Sequence, residues 1–321
     1  MNWLKLIFLK VIFIAVFISS NVFAGGLEVS RQNNMILFDE GTSASFSTRQ
    51  YKPSVTDNLF SSSDNQSVVK NFSIFTAGYK SDYSENISYA FERYEPMAST
   101  LQYPSIVNGL PMGMKALLRS EALSLTGKYD VSNSGFGVVA GVRQLTIKSS
   151  KLLLDPAQGE LVTTADSGFG YMAGVSYERP SIALKVLLTQ APGIDIDVPT
   201  TVVGSGTISQ PSFTTLEFET GIAANTLLYG SIHQGEHGSA QVKLKGLGAI
   251  SSFTDGEVYN IGVGRKFSDS LSASLSYTTE DGSSPTGTSP LSITNGTDTY
   301  ALGINYSTEK TDISFGYAMS S

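Results

Sequence analysis

Cysteine is absent from all 321 residues. In an exported chain this excludes disulfide stapling, so stability has to come from a large packed core or from a lipid-embedded fold. Charge is also scarce, at 15 % of residues, against about 25 % in an ordinary soluble domain. Cations are the rarer sign: 21 Lys and Arg against 28 Asp and Glu leave a formal charge of −7, which argues against nucleic acid as a partner. No apolar run beyond residue 24 approaches the length of about 20 residues that a spanning helix needs. Proline is limited to 11 positions while glycine reaches 31, a balance suited to extended strands joined by tight turns. Histidine occurs only at His233 and His237. They stand four apart, but a metal site needs further ligands that the sequence does not place, so neither metal nor cofactor is expected.

What is present begins with MNWLKLIFLKVIFIAVFISSNVFA: Lys5 and Lys10, an apolar run from Val11 to Ile18, and small residues at Val22 and Ala24. This is the layout of a cleavable signal peptide over residues 1–24, with the mature chain starting at Gly25. Without cysteine at the cut the product is not a lipoprotein. Losing Lys5 and Lys10, with no acid lost, takes the formal charge to −9. Residues 25–43, GGLEVSRQNNMILFDEGTS, have no period; Met35, Ile36, Leu37 and Phe38 beside polar neighbours fit a short plug folded into a lumen, with a periplasmic tail as the alternative.

From residue 44 to 321 strand-like segments recur, and short and long connections alternate between them. Short polar turns fall at KSDYSEN (80–86), DVSNSG (130–135), ERPS (178–181), AANT (223–226), FSDS (267–270) and STEKT (307–311). Long connections rich in Gly, Ser, Thr and Pro fall at 54–68, 95–118, 150–165, 191–210, 235–255 and 279–296. Bacterial outer-membrane barrels show this asymmetry, with tight periplasmic turns and longer extracellular loops. Within segments, apolar residues alternate with small or polar ones: Leu271, Ala273, Leu275 and Tyr277 interleave with Ser272, Ser274 and Ser276. Tyr129, Tyr177, Tyr277 and Tyr306 are expected beside short turns as a periplasmic aromatic girdle. The pattern predicts an all-β fold, a transmembrane antiparallel β-barrel with about thirteen strands visible. A soluble β-sandwich also alternates, but does not account for the loop asymmetry. The last segment, from Asp312 to Tyr317, is predicted to be a true strand rising to the cell exterior, so that one further descending strand would be needed to close the barrel.

With short turns on one side, the parity of each strand follows, because a residue and its second neighbour share a face. Ile182, Leu184, Val186 and Leu188 face lipid and Lys185 the lumen; Val138, Ala140 and Val142 face lipid and Arg143 the lumen. Lys128, Glu217, Glu219 and His233 also come out inside, sparing lipid their charge. A carboxylate ligand would want a cation at the end of an apolar tunnel, which makes Arg143 and Lys185 the candidate ligand-binding residues. The plainer alternative for each is a structural ion-pair network lining any barrel interior.

Several pieces are similar to the FadL-type long-chain fatty-acid transporters, a family that also takes up toluene and other aromatic hydrocarbons. They are the plug-like start AGGLEVSRQNNMILFDEG, NISYAFERYEPMASTLQYP, GFGYMAGVSYERPSIALKVLLTQAP, FETGIAANTLLYGSIH and YNIGVGRKFSDSLSASLSY, in family order over nearly the whole mature chain. The Asn-Pro-Ala signature of many members is missing, as is a Trp after the strand ending at His233. The resemblance implies a fourteen-stranded barrel with an N-terminal hatch, in the outer membrane and surrounded by its lipid. It also implies passive transport of a hydrophobic small molecule, a long-chain fatty acid or aromatic hydrocarbon, caught at the outer loops and released sideways. Two alternatives stand beside it. A general porin would show a more charged lumen and no hatch, and an outer-membrane hydrolase would need a nucleophile setting such as G-x-S-x-G, which this sequence lacks, so an enzyme is not expected.

Overall fold

The structure is a computed structural model that describes residues 26–55, 67–103, 106–107, 110–111, 113–153, 159–281, 289, 291–293 and 296–321. The expected signal peptide, residues 1–24, lies outside the described residues.

Thirteen strands follow one another through one antiparallel sheet. They are β1 (Ser43–Tyr51), β2 (Phe72–Ser84), β3 (Ile87–Tyr94), β4 (Lys115–Asp130), β5 (Phe136–Ile147), β6 (Asp166–Arg179), β7 (Leu184–Ala191), β8 (Phe213–Ala223), β9 (Thr226–Gly235), β10 (Gly256–Lys266), β11 (Leu271–Glu280), β12 (Thr297–Ser307) and β13 (Asp312–Ser320). Every second connection is a tight turn: 85–86, 131–135, 180–183, 224–225, 267–270 and 308–311. Asn133 and Asn225 supply the positive φ, 59° and 57°, that two of these turns require.

The sheet curls round a lumen. One cavity of about 1440 Å³ is lined by Phe46 of β1 and Phe315 of β13, the two edges, and equally by Arg143 of β5 and His233 of β9. Alternation decides which side each residue takes: Val142 is 60 % exposed on the outer face while Arg143 beside it is 5 % exposed within. Leu125, Val138, Val175, Ile261, Leu275, Leu302 and Ile304 are likewise exposed outward, an apolar band of the kind lipid requires. Because thirteen is odd, β1 and β13 run in the same direction, and among the described residues they do not pair with each other. No helix among the described residues is long and apolar enough to cross a membrane.

Tyr129, Phe136 and Tyr177 mark the short-turn end, the last two with rings 4.9 Å apart, and Tyr306 joins them. Tyr277 belongs elsewhere. It sits near the loop end of β11, where its hydroxyl donates to Asp298 Oδ1 at 2.6 Å and its ring lies 5.1 Å from that of Tyr300. It is six residues past the start of its strand, about 20 Å at the rise of a strand, and therefore contributes to the opposite belt.

At the loop end the long connections build a cap with its own core. A hairpin of Ile194–Thr200 and Gly204–Gln210 pairs onward to Lys243–Leu244 and Gly248–Ala249. Ile194, Ile196, Val198, Ile208, Val242 and Phe253 are buried there with Met97, Leu101 and Leu118. Leu27 and Val29, from the start of the chain, belong to the same core.

Candidate functional site

The segment before β1 threads the lumen from cap to short-turn mouth. At the cap it is held by backbone bonds, Val29 N to Pro96 O at 2.8 Å and Ala98 N to Leu27 O at 3.0 Å. Midway, Gln32 Nε2 donates to Thr126 Oγ1 at 2.8 Å and Asn33 N to Glu92 Oε1 at 3.2 Å. At the mouth, Asn34–Phe38 forms a single 3-10 turn whose residues are all buried. Met35, Ile36, Leu37 and Phe38 pack on Ala90, Val139, Met172 and Leu187 of the wall, each such side chain contributing about 1.5 to 3 kcal/mol. Lys80, 1 % exposed, fastens the chain as it leaves: its ammonium donates to Asp39 O and Gly41 O and pairs with Asp82. Burial pushes the Asp39 carboxyl upward from its ordinary value. The hatch turn fills the β3, β5, β6 and β7 side of this end, and on the other side the lumen continues to the turns 267–270 and 308–311.

Glu28 anchors the middle of a buried polar cluster. Arg31 Nε lies 3.0 Å from Glu28 Oε1, and His233 Nε2 lies 3.3 Å from Oε2. Burial alone would raise the Glu28 carboxyl, but Arg31 and His233 outweigh it and hold the group well below the ordinary carboxylate range. His233 Nδ1 meets Thr215 Oγ1 at 2.7 Å, and Phe213 lies against both histidines, 4.8 Å from the ring of His233 and 6.1 Å from that of His237. Burial pushes His237 down to about 4. Among the described residues no group of three or more His, Cys, Asp or Glu is arranged to hold a metal ion.

The two candidate cations are not brought together. Arg143 lines the large cavity and donates through Nη2 to Pro192 O in the cap. Lys185 is 2.6 Å from Glu219, at the level of the hatch turn, and is not part of the cavity lining. Lys128 pairs with Glu178 and with Asp130 at 3.1 Å, and its ammonium stands 4.5 Å from the centre of the Phe38 ring. Glu217 and His233 line the cavity with Glu28, Arg31 and Glu92. Glu92 could have been found from parity, since Ser88, Ala90 and Glu92 share the inner face of β3. Glu28 and Arg31 had no such signal, because their segment is aperiodic.

Three cavities succeed one another from cap to lumen. An almost wholly apolar one of about 50 Å³ lies in the cap among Leu27, Leu118, Leu161, Val198, Ile208 and Val242. A smaller one of about 10 Å³ shares Leu27 with it, and shares Glu28, Gln210 and Phe213 with the 1440 Å³ lumen. A strand sheet with an apolar outer band, a folded loop cap and an internal hatch defines a membrane β-barrel with part of its own chain inside it.

No family model matches the sequence, and no curated protein matches it. Solved structures do. A FadL homologue of Pseudomonas aeruginosa superposes with a TM-score of 0.63 at 12% identity, covering 78% of this chain and 70% of that one. The toluene transporter TodX of Pseudomonas putida gives 0.54 at 12% identity, covering 91% and 90%. The monoaromatic hydrocarbon channel CymD gives 0.54 at 12% identity, covering 87% and 82%. The chain therefore has the FadL-type fold, an antiparallel transmembrane barrel with an N-terminal hatch.

Proposed function

We propose that this protein is an outer-membrane channel through which small hydrophobic molecules diffuse passively. The observation that carries the reading is the chain of cavities along Leu27 and Glu28: an apolar pocket in the exposed cap, then a narrow link, then the lumen. An apolar pocket at the outer face captures a lipophile from water. The hatch then narrows its way out, because Met35 to Phe38 pack against β3, β5, β6 and β7 on one side of the opposite mouth while the cavity continues to the turns 267–270 and 308–311 on the other. The shared fold with a toluene transporter and a hydrocarbon channel supports the same substrate class. The fatty acids implied by the family resemblance make a further demand, a cation free to meet the carboxylate.

Uptake of labelled toluene by cells producing the protein, set beside swelling of proteoliposomes in sugars, tests the reading. Toluene uptake is expected to rise severalfold over cells without the protein, with no swelling in sugar. Sugar permeation without toluene uptake would establish the porin instead.

A further inference from the structure

Between the apolar band and the loops, the outer face of the sheet is not uniform in charge. At β10 to β12 it carries carboxylates, Glu257 and Asp298, each taking a hydrogen bond from a tyrosine, Tyr259 and Tyr277. At β3 to β5 it carries cations. Phe91, Leu125 and Val142 belong to the exposed apolar band. On the same faces, farther toward the loops, come Arg93 on β3, Glu121 and Arg119 on β4, and Lys148 just past β5. The register sets Ser120 opposite Ile147, so Arg119 and Lys148 stand opposite each other one step on, where Lys148 N donates to Arg119 O at 2.8 Å. Like charges in that position repel.

The acids beside them do not balance the group. Three cations, Arg93, Arg119 and Lys148, share two carboxylates, Glu95 and Glu121. Arg93 is committed: Nε and Nη2 go to Glu121, Nη1 goes to Phe75 O, and the guanidinium lies 5.3 Å from the centre of the Phe75 ring. The other two are not. Arg119 gives Nε and Nη2 to Glu95, and Nη2 also to Ser73 O, which leaves its Nη1 without a hydrogen bond among the described residues. Lys148 Nζ has one such bond, to Glu121 at 3.3 Å. The two side chains are 34 % and 44 % exposed, so both are reachable from outside the wall.

An anion held between Arg119 and Lys148 would replace their repulsion with attraction and would meet two charged donors. Its nature follows from where the pair stands. The outer face just beyond it, with Phe91, Leu125 and Val142, is covered by acyl chains in a membrane, so the anion closest at hand is one that carries such chains. A headgroup phosphate brings several acceptor oxygens to a guanidinium and an ammonium at once.

We propose that Arg119 and Lys148 form a docking site on the outer wall for the phosphate of an outer-leaflet lipid whose acyl chains lie along β3 to β5. The proposal takes from the channel reading only the outer membrane and the orientation within it.

Native mass spectrometry of the full barrel in non-ionic detergent tests it, with diphosphorylated lipid A, the same lipid stripped of its phosphates, and inorganic phosphate as probes. The phosphorylated lipid is expected to bind at least about tenfold more tightly than the stripped one. Arg119→Gln combined with Lys148→Gln is expected to remove that difference, while Arg265→Gln, at an exposed position near the short-turn end of β10, keeps it. Equal binding of the two lipids by the unaltered protein overturns the proposal whether or not any variant folds, and so does a preference that survives the double substitution. Inorganic phosphate binding as tightly as the phosphorylated lipid also overturns it, since the site would then take a free ion and not a lipid. Binding is read here without transport, so each of these outcomes leaves the channel reading untouched, and a failure of toluene uptake leaves the lipid site standing.

Discussion

His237 stands where the start of the hatch enters the cap, so close to Gly26 that a Cβ there would come within 2.4 Å of its Nδ1. Glu28, His233, Arg31 and Asp255 are the titratable or charged groups around it. Its ring stays neutral in the folded protein, with a value of about 4 against an ordinary 6.5. A histidine shifted downward makes the unfolded chain take up its proton first, so stability falls as pH drops below about 6.5 and the loss is complete below about 4, at about 3 kcal/mol. Protease release of the hatch should accelerate over that interval, and His237→Gln should flatten the dependence; a rate independent of pH would contradict it. Such single residues were unevenly legible. Arg143, Lys128 and His233 sit on strands, where a period of two gives each side chain a face, whereas the partners that fix their role, Pro192, Phe38 and Glu28, lie in loops and hatch and are joined to them only by tertiary structure.

The 3-10 turn Asn34–Phe38 depends on its fit against β2. Gly78 of that strand leaves the gap: a Cβ there would lie 2.9 Å from Ile36 Cδ1 and 2.9 Å from Ser45 Oγ. Gly78→Val should overpack this contact by about 1 to 3 kcal/mol and loosen the hatch while the strand ladder persists. Limited proteolysis should then cut ahead of β1 sooner, with heat-modifiable gel mobility unchanged; collapse of both together would show that hatch and sheet are one cooperative unit. Lys80→Met should act in the same direction, because Asp39 O and Gly41 O lose their shared donor. Strands were the readable elements here, since lipid on one face and lumen on the other impose alternation. The hatch was readable only as an aperiodic stretch with one apolar patch, and its route through the lumen from cap to mouth is set by contacts with strands far away in sequence.

For the whole molecule, the alternation of tight turns and long connections was enough to anticipate a barrel with two unlike ends. It did not reveal that the long connections share a core, because Leu27, Ile194, Val242 and Leu291 come from four separate stretches with no common period. The hatch that joins this cap to the opposite mouth also has a consequence for how the molecule can be made. Its middle residues are bonded to β3 and β4, and Glu28 reaches His233 on β9, so strands widely spaced in the chain all surround it. Those contacts form most readily while the sheet is still curling, before the strands close round the segment, which favours the hatch being seated early in folding. A hatchless barrel refolded together with a peptide of residues 26–42 should capture it, whereas the same peptide added after refolding should stay outside, and equal capture in both orders would mean that the wall opens far enough to admit a folded-in chain.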